Sequence, residues 1–595
     1  MPDRSAYLSA AVELQKNPKQ WEAYESQGHC VVIAGPGSGK TKTLTTKLAR
    51  ILAEDVKEPR GVACITYNNE CARELEDRLS FLGVDPGKRV FIGTVHSFSL
   101  TQVILPYAKV AGLGLPTEFR VATSNEGHQA FSQAVSNTLG NVANLNNLEF
   151  QVSHYRRTIP NRDQPAWREK SPRLAMLSEA FEAELRRRGL IDFDDMPLLA
   201  LQALRANPWL QKALLAKYPV LVVDEYQDLG VALHRMVVGL CFRTGVRLFA
   251  VGDVDQSIYG FTGARPDLLR NLSERDDVET VRLRLNYRCG TSIVKASEIA
   301  LGERRDYQAV EDGPEGTVYF HPMGGNYDQQ AARLISEIVP QALERHPQYD
   351  YRDVAVLYPA AWMGDAVARE SQVAGISIVR ADRNALYSRS SHLMQWLELC
   401  SQWCCGGWSS GNPRFQRIVR DGERLFSDGI QSDEQSYEFR SRLIEVLWDR
   451  RNASLSFHEW ITALNSTLIN PIASGCTALR DELEMLVAFT SRVAPEGDLA
   501  EMLLGEFAGA GEYLDRLTLS TLHSAKGKEF GLVFMFGMDA GRLPFSNSTP
   551  QQMAEARRLF YVGMTRAKRE VHLIHTTGRS SCFVNELEQR LADAH

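Results

Sequence analysis

A glycine-rich loop near the N-terminus carries the strongest chemical signal in the chain. Residues 31–45 read VVIAGPGSGKTKTLT, so an apolar run leads into alternating glycines and then a Lys-Thr pair. A strand, a flexible glycine loop and a helix N-terminus aim several N–H groups at one anion. Lys40 can reach the β- and γ-phosphates of a nucleotide, and the Thr41 hydroxyl can ligate Mg²⁺. The residues we assign to this cradle are Gly35, Gly37, Ser38, Gly39, Lys40, Thr41 and Lys42.

This loop alone predicts a nucleoside triphosphate site without separating a kinase, a GTPase and a motor. Ala34 stands where the usual pattern has its first glycine, and alanine is small enough for that turn. A second segment narrows the choice: residues 219–229 read PVLVVDEYQDL, an apolar run that ends in two carboxylates. Asp224 is placed to hold Mg²⁺ through water, and Glu225 to polarise an attacking water. With the glycine loop in the same chain, the two acids indicate a hydrolysing NTPase.

A third segment joins a polar group to aromatic side chains. Residues 247–264 read RLFAVGDVDQSIYGFTGA, where another apolar strand ends at an aspartate and Gln256 follows. Tyr259 and Phe261 come next, and exposed aromatics are suited to base stacking. Aromatics at this spacing would more often be core in a segment standing alone. Beside the two other segments, the pattern suggests that nucleotide state is coupled to stacking on nucleic-acid bases.

Composition sets broad limits on the class of protein. The chain has 595 residues, enough for several domains, and its 67 Lys+Arg against 73 Asp+Glu give a net charge of −6. Any nucleic-acid surface must therefore be a local basic groove. The N-terminus lacks a signal-peptide core and no apolar run is long enough to span a bilayer, so we expect a cytoplasmic protein without a membrane partner.

The 10 cysteines have no regular spacing and several sit in apolar contexts, as reduced core thiols do. Cys400, Cys404 and Cys405 cluster within CSQWCC, which makes a metal site conceivable. Since no spaced second pair or histidine partner follows, we favour cysteines that pack a helix beside a tryptophan.

The order of the motifs is specific. DEYQD and VGDVDQSIYGF resemble motifs II and III of the superfamily 1 helicases of the UvrD, Rep and PcrA type. Further segments resemble the Q motif (14–24, LQKNPKQWEAY), motif Ia (64–79, CITYNNECARELEDRL), motif Ib (93–98, GTVHSF), a segment ending an inserted domain (190–196, LIDFDDM), motif IV (283–290, LRLNYRCG), motif V (519–530, LSTLHSAKGKEF) and motif VI (555–568, EARRLFYVGMTRAK).

This resemblance implies an α/β fold in which two RecA-like parallel-sheet motor domains, 1A and 2A, sandwich one ATP with Mg²⁺. It places Asp224 on the metal and makes Glu225 the catalytic base. Gln256 would sense the γ-phosphate, while Arg288 and Arg566 would act as arginine fingers from the far side. Planar guanidinium groups suit that role because they stabilise charge on the transferring phosphoryl group. A P-loop kinase or GTPase is excluded by the second arginine-bearing domain.

The resemblance also assigns the remaining ligand contacts. Gln20 would recognise the adenine, Tyr287 would stack on it, and Glu529 would accept from the ribose. The candidate DNA contacts are Tyr67, Asn68, His96, Tyr259, Phe261 and His523. Partners would be single-stranded DNA and 3′-tailed duplex DNA, with movement in the 3′→5′ direction of the family.

Mostly helical insertions are expected in both motor domains. The predicted boundaries are 1–98 and 196–285 for 1A, 99–195 for insertion 1B, 286–403 and 513–595 for 2A, and 404–512 for a reduced insertion 2B. Residues 154–173 hold six Lys/Arg and two Asp/Glu, which fits a solvated face and a DNA-contacting face equally well.

Insertion 2B departs most from the family pattern. Relatives carry a Gly-Ile-Gly-type hairpin after an F-x-R-I stretch, whereas here FQRIV (415–419) is followed by RDGERLF. Thr262 stands where an arginine is common, LYPA (357–360) lacks the usual arginine, and Lys528 replaces a common leucine. The leading hypothesis is an ATP-dependent 3′→5′ DNA helicase or translocase. The alternative is an ATP-gated DNA-sensing subunit of a nuclease or phage-defence complex, like the UvrD-like subunit of the Gabija system. DNA repair, antiviral defence, and a nuclease or self-association partner stay open.

Overall fold

The computed structural model describes residues 4–84, 89–140, 142–388, 391–473, 476, 479–509 and 514–593. The strands are β1 (His29–Ala34), β2 (Val62–Thr66), β3 (Val90–Thr94), β4 (Arg120–Val121), β5 (Leu190–Ile191), β6 (Val220–Val223), β7 (Arg247–Gly252), β8 (Val278–Leu283), β9 (Leu285–Asn286), β10 (Gln308–Ala309), β11 (Thr317–Met323), β12 (Val354–Tyr358), β13 (Ile378–Arg380), β14 (Leu517–Thr521), β15 (Phe530–Met535) and β16 (Ala567–Thr576).

The helices are α1 (Arg4–Leu14), α2 (Pro18–Glu25), α3 (Lys40–Arg50), α4 (Asn69–Phe81), α5 (Val95–Phe98), α6 (Leu105–Tyr107), α7 (Ser124–Leu139), α8 (Leu145–Thr158), α9 (Ala166–Glu169), α10 (Pro172–Arg187), α11 (Asp195–Ala206), α12 (Pro208–Lys217), α13 (Val231–Val237), α14 (Pro266–Ser273), α15 (Thr291–Leu301), α16 (Tyr327–Arg333), α17 (Val339–Arg345), α18 (Met363–Val373), α19 (His392–Gln402), α20 (Trp408–Ser410), α21 (Phe415–Leu425), α22 (Asp433–Trp448), α23 (Phe457–Leu464), α24 (Asn470–Ala473), α25 (Arg480–Val493), α26 (Leu504–Ala508), α27 (Pro550–Met564) and α28 (Cys582–Ala592). Among the described residues two compact units separate, the first with residues up to 320, 539–573 and 579 onward, the second with 321–538 and 574–578.

The first unit is built on a six-stranded sheet in the order β3-β2-β6-β7-β1-β8. Its neighbouring strands pair in parallel along the whole order. Strands β2 and β6 are buried at every position, as expected for a parallel sheet covered on both faces. Because the carboxyl ends of parallel strands meet at one edge, the loops after β1, β6 and β7 lie side by side.

The first unit also holds residues 99–195, the segment predicted as insertion 1B. Helices α7, α8 and α10 pack here around a small apolar core that includes Phe131 and Phe181. Arg156 on α8 is fully buried, and its guanidinium contacts Glu182, Asp192 and Asp195 at 2.9, 2.6 and 2.8 Å. The basic stretch 154–173 is thus in part an internal network of ion pairs.

The second unit is built on a six-stranded sheet in the order β11-β16-β15-β12-β14-β13. Of the two outer strands β11 and β16, residues 321–323 and 574–576 belong to this unit. Strand β12 pairs in parallel with β14 and β15, and β13 pairs in parallel with β14. The described part of 404–512, the predicted reduced 2B, folds as helices α20 to α26 over an aromatic core. FQRIVRDGERL is one continuous helix, α21, where relatives were expected to turn into a hairpin.

The α/β class with parallel sheets, predicted from the sequence, is confirmed. The domain boundaries stay a prediction. Within the described ranges, no helix combines the length and the apolar character that crossing a bilayer requires. Cys400 and Cys404 are buried in the core of the second unit, and Cys405 packs against it. The part of the chain that the structure describes contains no group of three or more His, Cys, Asp or Glu arranged to hold a metal ion.

Candidate functional site

The glycine loop between β1 and α3 is tightly enclosed. Gly37 and Gly39 have φ of +65° and +79°, which other residues adopt only under strain. A Cβ on Gly37 would lie 2.6 Å from Oδ1 of Asn286, and one on Gly39 would lie 2.5 Å from Nε2 of Gln20. Both backbone conformation and crowding therefore require glycine at these positions.

Residues of the Q motif and motif IV contact the loop directly. The Gln20 amide donates to the Ser38 carbonyl at 2.8 Å. The Tyr287 N–H donates to the Gly37 carbonyl at 2.8 Å, and the Asn17 amide donates to the Tyr287 hydroxyl at 3.0 Å. The structure therefore brings Gln20 and Tyr287, predicted as adenine contacts, to the same loop.

Three acidic residues act on the largely buried ammonium of Lys40 at the end of this loop. Lys40 Nζ lies 3.2 Å from Oε1 of Glu225. Burial disfavours the charged lysine, but the negative charges of Glu225, Asp253 and Asp224 outweigh it and raise the pKa of Lys40. Burial and the charge of Glu225 raise the pKa of Asp224, and burial likewise raises the pKa of Asp253. The cluster holds more acidic groups than Lys40 alone can neutralise.

Glu225 is held in an uncommon conformation. Its φ is +48°, in the left-handed region that non-glycine residues seldom occupy. The Gln227 side chain donates to the Glu225 carboxylate and accepts the Asp253 N–H at 2.9 Å. Gln227 thus ties the loop after β6 to the loop after β7. Strain of this kind persists where surrounding contacts fix the residue, and it is concentrated at functional sites.

Two arginines complete the arrangement within the first unit. Arg566 is 1% exposed, and its guanidinium donates to Oε1 of Gln256 at 3.3 Å. The Gln256 amide in turn donates to the Asp253 carboxylate. Arg288 follows Tyr287, and its guanidinium donates to the Thr565 carbonyl at 3.2 Å. The predicted γ-phosphate sensor and both predicted arginine fingers therefore lie near the Lys40 cluster.

The remaining predicted ligand contacts lie in different surroundings. Thr41 is partly exposed in the first turn of α3. Lys42 forms an exposed ion pair with Glu13 at 2.6 Å. His523 and Glu529 belong to the second unit and lie near the two ends of the segment between β14 and β15, and burial lowers the pKa of His523. Their ligand roles stay predictions.

An aromatic surface follows the loop after β7. Tyr67 and Tyr259 stack with ring centroids 4.8 Å apart and planes 20° apart. Phe261 meets Tyr259 edge-on at 6.0 Å and is 45% exposed. His154 on α8 contacts the Phe261 carbonyl through Nδ1 at 3.2 Å, and its ring stacks on exposed Phe150 at 6.4 Å. Three predicted DNA contacts are thus adjacent, and helix α8 extends their surface.

The other two predicted DNA contacts of this unit have clear local roles. His96 lies 4.4 Å from Phe193, ring to ring, and burial lowers the pKa of His96 to about 4, so its imidazole is neutral at pH 7. Phe193 itself is 60% exposed. Asn68 caps α4, because its side-chain oxygen accepts the Cys71 N–H at 2.8 Å.

Two regions of the chain match models of known protein families. Residues 16–277 match the model of the UvrD/REP helicase N-terminal domain, and residues 480–578 match that of the UvrD-like helicase C-terminal domain. Together the matches cover more than half of the chain.

The chain belongs to the UvrD-like helicase family.

Its similarity to individual family members is distant but extends along nearly the whole chain. The ATP-dependent DNA helicase Rep of Escherichia coli is 26% identical, over 94% of this chain and 90% of that protein. The ATP-dependent DNA helicase PcrA of Leuconostoc citreum is 25% identical, over 95% and 82%. PcrA of Staphylococcus aureus is 24% identical, over 97% and 87%.

Some residues that contact the glycine loop or its neighbours were not predicted from the sequence. The Tyr307 ring packs against Gly35 so closely that a Cβ there would collide with it. Arg305 forms two hydrogen bonds to the Asp255 carboxylate, at 2.7 and 2.9 Å. The loop that carries Arg305 and Tyr307 has no motif that could have indicated them. Phe193 lies within LIDFDDM, which we used only as a domain boundary, although a phenylalanine between acids is itself a signal of an exposed aromatic.

Proposed function

We propose that this protein is an ATP-hydrolysing motor that moves 3′→5′ along single-stranded DNA. The observation that carries the proposal is the convergence of Lys40, Glu225, Gln256 and Arg566 at one edge of the first sheet. The named relatives are ATP-dependent DNA helicases, which supports the same activity here. The predicted boundaries of 1A, 1B, 2A and 2B belong to this proposal.

The donor set fits a magnesium nucleotide. Mg²⁺ prefers oxygen ligands and is usually held by one or two carboxylates together with substrate phosphates. Asp224 supplies a buried carboxylate with a raised pKa, and the Thr41 hydroxyl stands in the first turn of α3. In this proposal these two residues hold the ion, which supplies positive charge to the phosphates when bound. The acidic excess around Lys40 is consistent with an incoming cation.

The chain's own residues divide the hydrolytic work. Glu225 accepts a proton from the water that attacks the γ-phosphorus, and Asn286 and Gln227 fix the loops beside it. Lys40 neutralises phosphate oxygens, while Arg288 and Arg566 stabilise the charge that develops on the transferred group. Gln20 and Tyr287 hold the base end of the nucleotide, with Glu529 on the ribose.

The aromatic surface is the proposed DNA track of the first unit. Stacking on Tyr67, Tyr259 and Phe261 tolerates any base, as stepping along arbitrary sequences demands. His96 and Asn68 would contact the same strand, and His523 would contact it from the second unit. Gln256 precedes the aromatic residues in one continuous segment, which offers a route from nucleotide state to strand position.

Unwinding by the isolated chain should be weak. The described part of 404–512 is helical, and its α21 occupies the place where a duplex-gripping hairpin was expected from the family. Each base-pair step requires roughly 1.4 kcal/mol, which ATP hydrolysis covers, so grip on the duplex would be limiting. A partner or a second copy would then be needed for long duplexes.

The proposal is tested by steady-state ATP hydrolysis with and without oligothymidylate, in Mg²⁺ and with the cation removed by chelation. We expect turnover to require Mg²⁺ and to rise at least about tenfold with single-stranded DNA, since the proposed DNA track and Arg566 lie in one unit. Strand displacement on a 3′-tailed duplex should be slow compared with the DNA-stimulated rate of ATP hydrolysis. A chain that hydrolyses ATP equally well without DNA would contradict the motor. The rival DNA-sensing subunit receives no support from the relatives, which are named helicases.

A further inference from the structure

One helix contacts both ends of the segment that joins Gln256 to Phe261. Helix α27 runs from Pro550 to Met564, and Arg566 follows its last turn. Near its start, the Glu555 carboxylate accepts the Gly260 N–H at 2.9 Å. The N–H of Phe261 donates to the same carboxylate. A single side chain of α27, the helix that leads to Arg566, thus holds the backbone of the exposed aromatic residue.

The loop is shaped for this contact. A Cβ on Gly260 would lie 2.8 Å from Oε2 of Glu555, so any larger residue would push the carboxylate away. Arg558, one turn further along α27, donates to the Ser257 carbonyl at 2.7 Å. Burial raises the pKa of Glu555, and the two backbone donors with Arg558 oppose that shift. Burial therefore removes part of the hydration of the carboxylate, and these hydrogen bonds replace it. Hydrogen bonds are stronger in a less polar environment.

The other end of the same helix reaches the nucleotide side. Arg566 donates to Gln256 at 3.3 Å, and Gln256 is bonded to Asp253 of the acidic cluster. The helix runs nine steps from Glu555 to its last residue, Met564, a span of roughly 14 Å at 1.5 Å per residue, and Arg566 follows two residues later. If α27 moves as a rigid element, a shift at Arg566 would be transmitted to Gly260 and Phe261.

We propose that Glu555 is a positioning residue that fixes the Tyr259–Phe261 loop for base stacking and links it, through α27, to the arginine at the nucleotide. This rests on the proposed motor function. A purely structural role would instead lower the stability of the fold and every activity in proportion. The two roles differ in which kinetic constants they change.

The test compares Glu555→Gln and Gly260→Ala with the parent chain in ATP hydrolysis titrated with oligothymidylate. Glutamine removes the negative charge and replaces one of the two acceptor oxygens with an NH₂ donor, and alanine at 260 displaces the carboxylate without removing it. We expect the half-saturating DNA concentration to rise roughly tenfold in both variants. The KM for ATP should change less than twofold. Glu555→Asp, which keeps the charge one methylene further back, should give an intermediate value.

Glu586→Gln is the matched control, because Glu586 pairs with Arg557 of the same helix at 2.7 Å on the side facing α28. It should behave as the parent in the DNA titration. A parent stimulated by DNA together with unchanged half-saturation in Glu555→Gln and Gly260→Ala would overturn the positioning role alone. A variant in which the KM for ATP and the half-saturating DNA concentration rise together while the thermal midpoint falls would also overturn it, in favour of a structural role. A parent that DNA does not stimulate would overturn the motor function as well.

Discussion

Two buried charge clusters of the first unit differ in how completely their charges are paired. The insertion cluster comprises Arg156, Glu182, Asp192 and Asp195, and further arginines reinforce it: Arg162 reaches Glu182 at 2.6 Å and Arg186 reaches Asp195 at 2.8 Å. The loop cluster comprises Lys40, Asp224, Glu225 and Asp253, with Lys40 facing all three acids.

This difference in charge pairing distinguishes a structural ion-pair network from a binding site. In the insertion cluster the carboxylates have arginine partners at hydrogen-bonding distance, so nothing further is required for neutrality. In the loop cluster three acids face the single ammonium of Lys40. Burial raises the pKa of Asp224 and Asp253 there, and it raises the pKa of Asp192 in the insertion cluster as well, so the pKa values do not distinguish the two clusters. Buried charge alone therefore does not identify a site, because structural networks contain it too. The excess of acidic groups over their cationic partners is the feature that indicates a binding site.

The largest effect is expected from Glu225→Gln in the loop cluster. Turnover should fall by about 10²–10⁴, because the attacking water loses its base. ATP binding should persist, since Lys40 and Asp224 remain. Pre-steady-state binding of a fluorescent ATP analogue separates the two. The matched substitution in the other cluster, Glu182→Gln, should leave turnover within about threefold, and equal losses in both would break the comparison.

Arg156→Met should act on stability instead. It removes the fully buried guanidinium that three carboxylates share, although Glu182 keeps Arg162 and Asp195 keeps Arg186. Removing one member of a buried ion pair typically costs about 3–5 kcal/mol. Urea unfolding of the full chain, followed by tryptophan fluorescence, measures this loss. ATP turnover per folded molecule should stay near that of the parent. If turnover fell as steeply as for Glu225→Gln with no loss of stability, the insertion cluster would belong to the site.

Phe261→Ala tests the aromatic surface that adjoins the loop cluster. Stacking of one base on an aromatic ring contributes about 1–3 kcal/mol, so the binding free energy for oligothymidylate should become less favourable by about that amount. Binding of ATP without DNA should be unaffected. Phe81→Ala is the control, since Phe81 is 82% exposed at the end of α4. Equal affinities of the two variants for DNA would remove Phe261 from the track.

The smallest effect is expected from Lys42→Ala. Lys42 was assigned to the phosphate cradle, yet its ammonium pairs with Glu13 at 2.6 Å in an exposed position. Exposed pairs contribute little to stability, and one flexible lysine at the edge of the cluster adds little charge. We expect KM for ATP to change less than about threefold. A tenfold rise in the KM for ATP would instead indicate that Lys42 is a second cation of the loop cluster, which would reduce the excess of acids there.

The sequence predicted the loop cluster more fully than the insertion cluster. Lys40, Glu225 and Gln256 each follow a buried strand, and parallel strands bring such positions together by topology alone. Arg156 appeared as part of an open basic stretch because its acidic partners lie 26 to 39 residues away on other elements. No local pattern records such a pairing. The contact of Tyr307 with Gly35 was unpredictable for the same reason.

Directional movement on DNA tests the central claim most directly. Oligothymidylates of increasing length carry a fluorophore at either the 5′ or the 3′ end, and Mg²⁺ with ATP starts a single round of translocation. We predict that the time to reach a 5′ label grows in proportion to length, while a 3′ label gives no length-dependent delay. Glu225→Gln should abolish both signals. Traces that do not depend on length or on the labelled end, from a parent that hydrolyses ATP, would contradict a 3′→5′ motor.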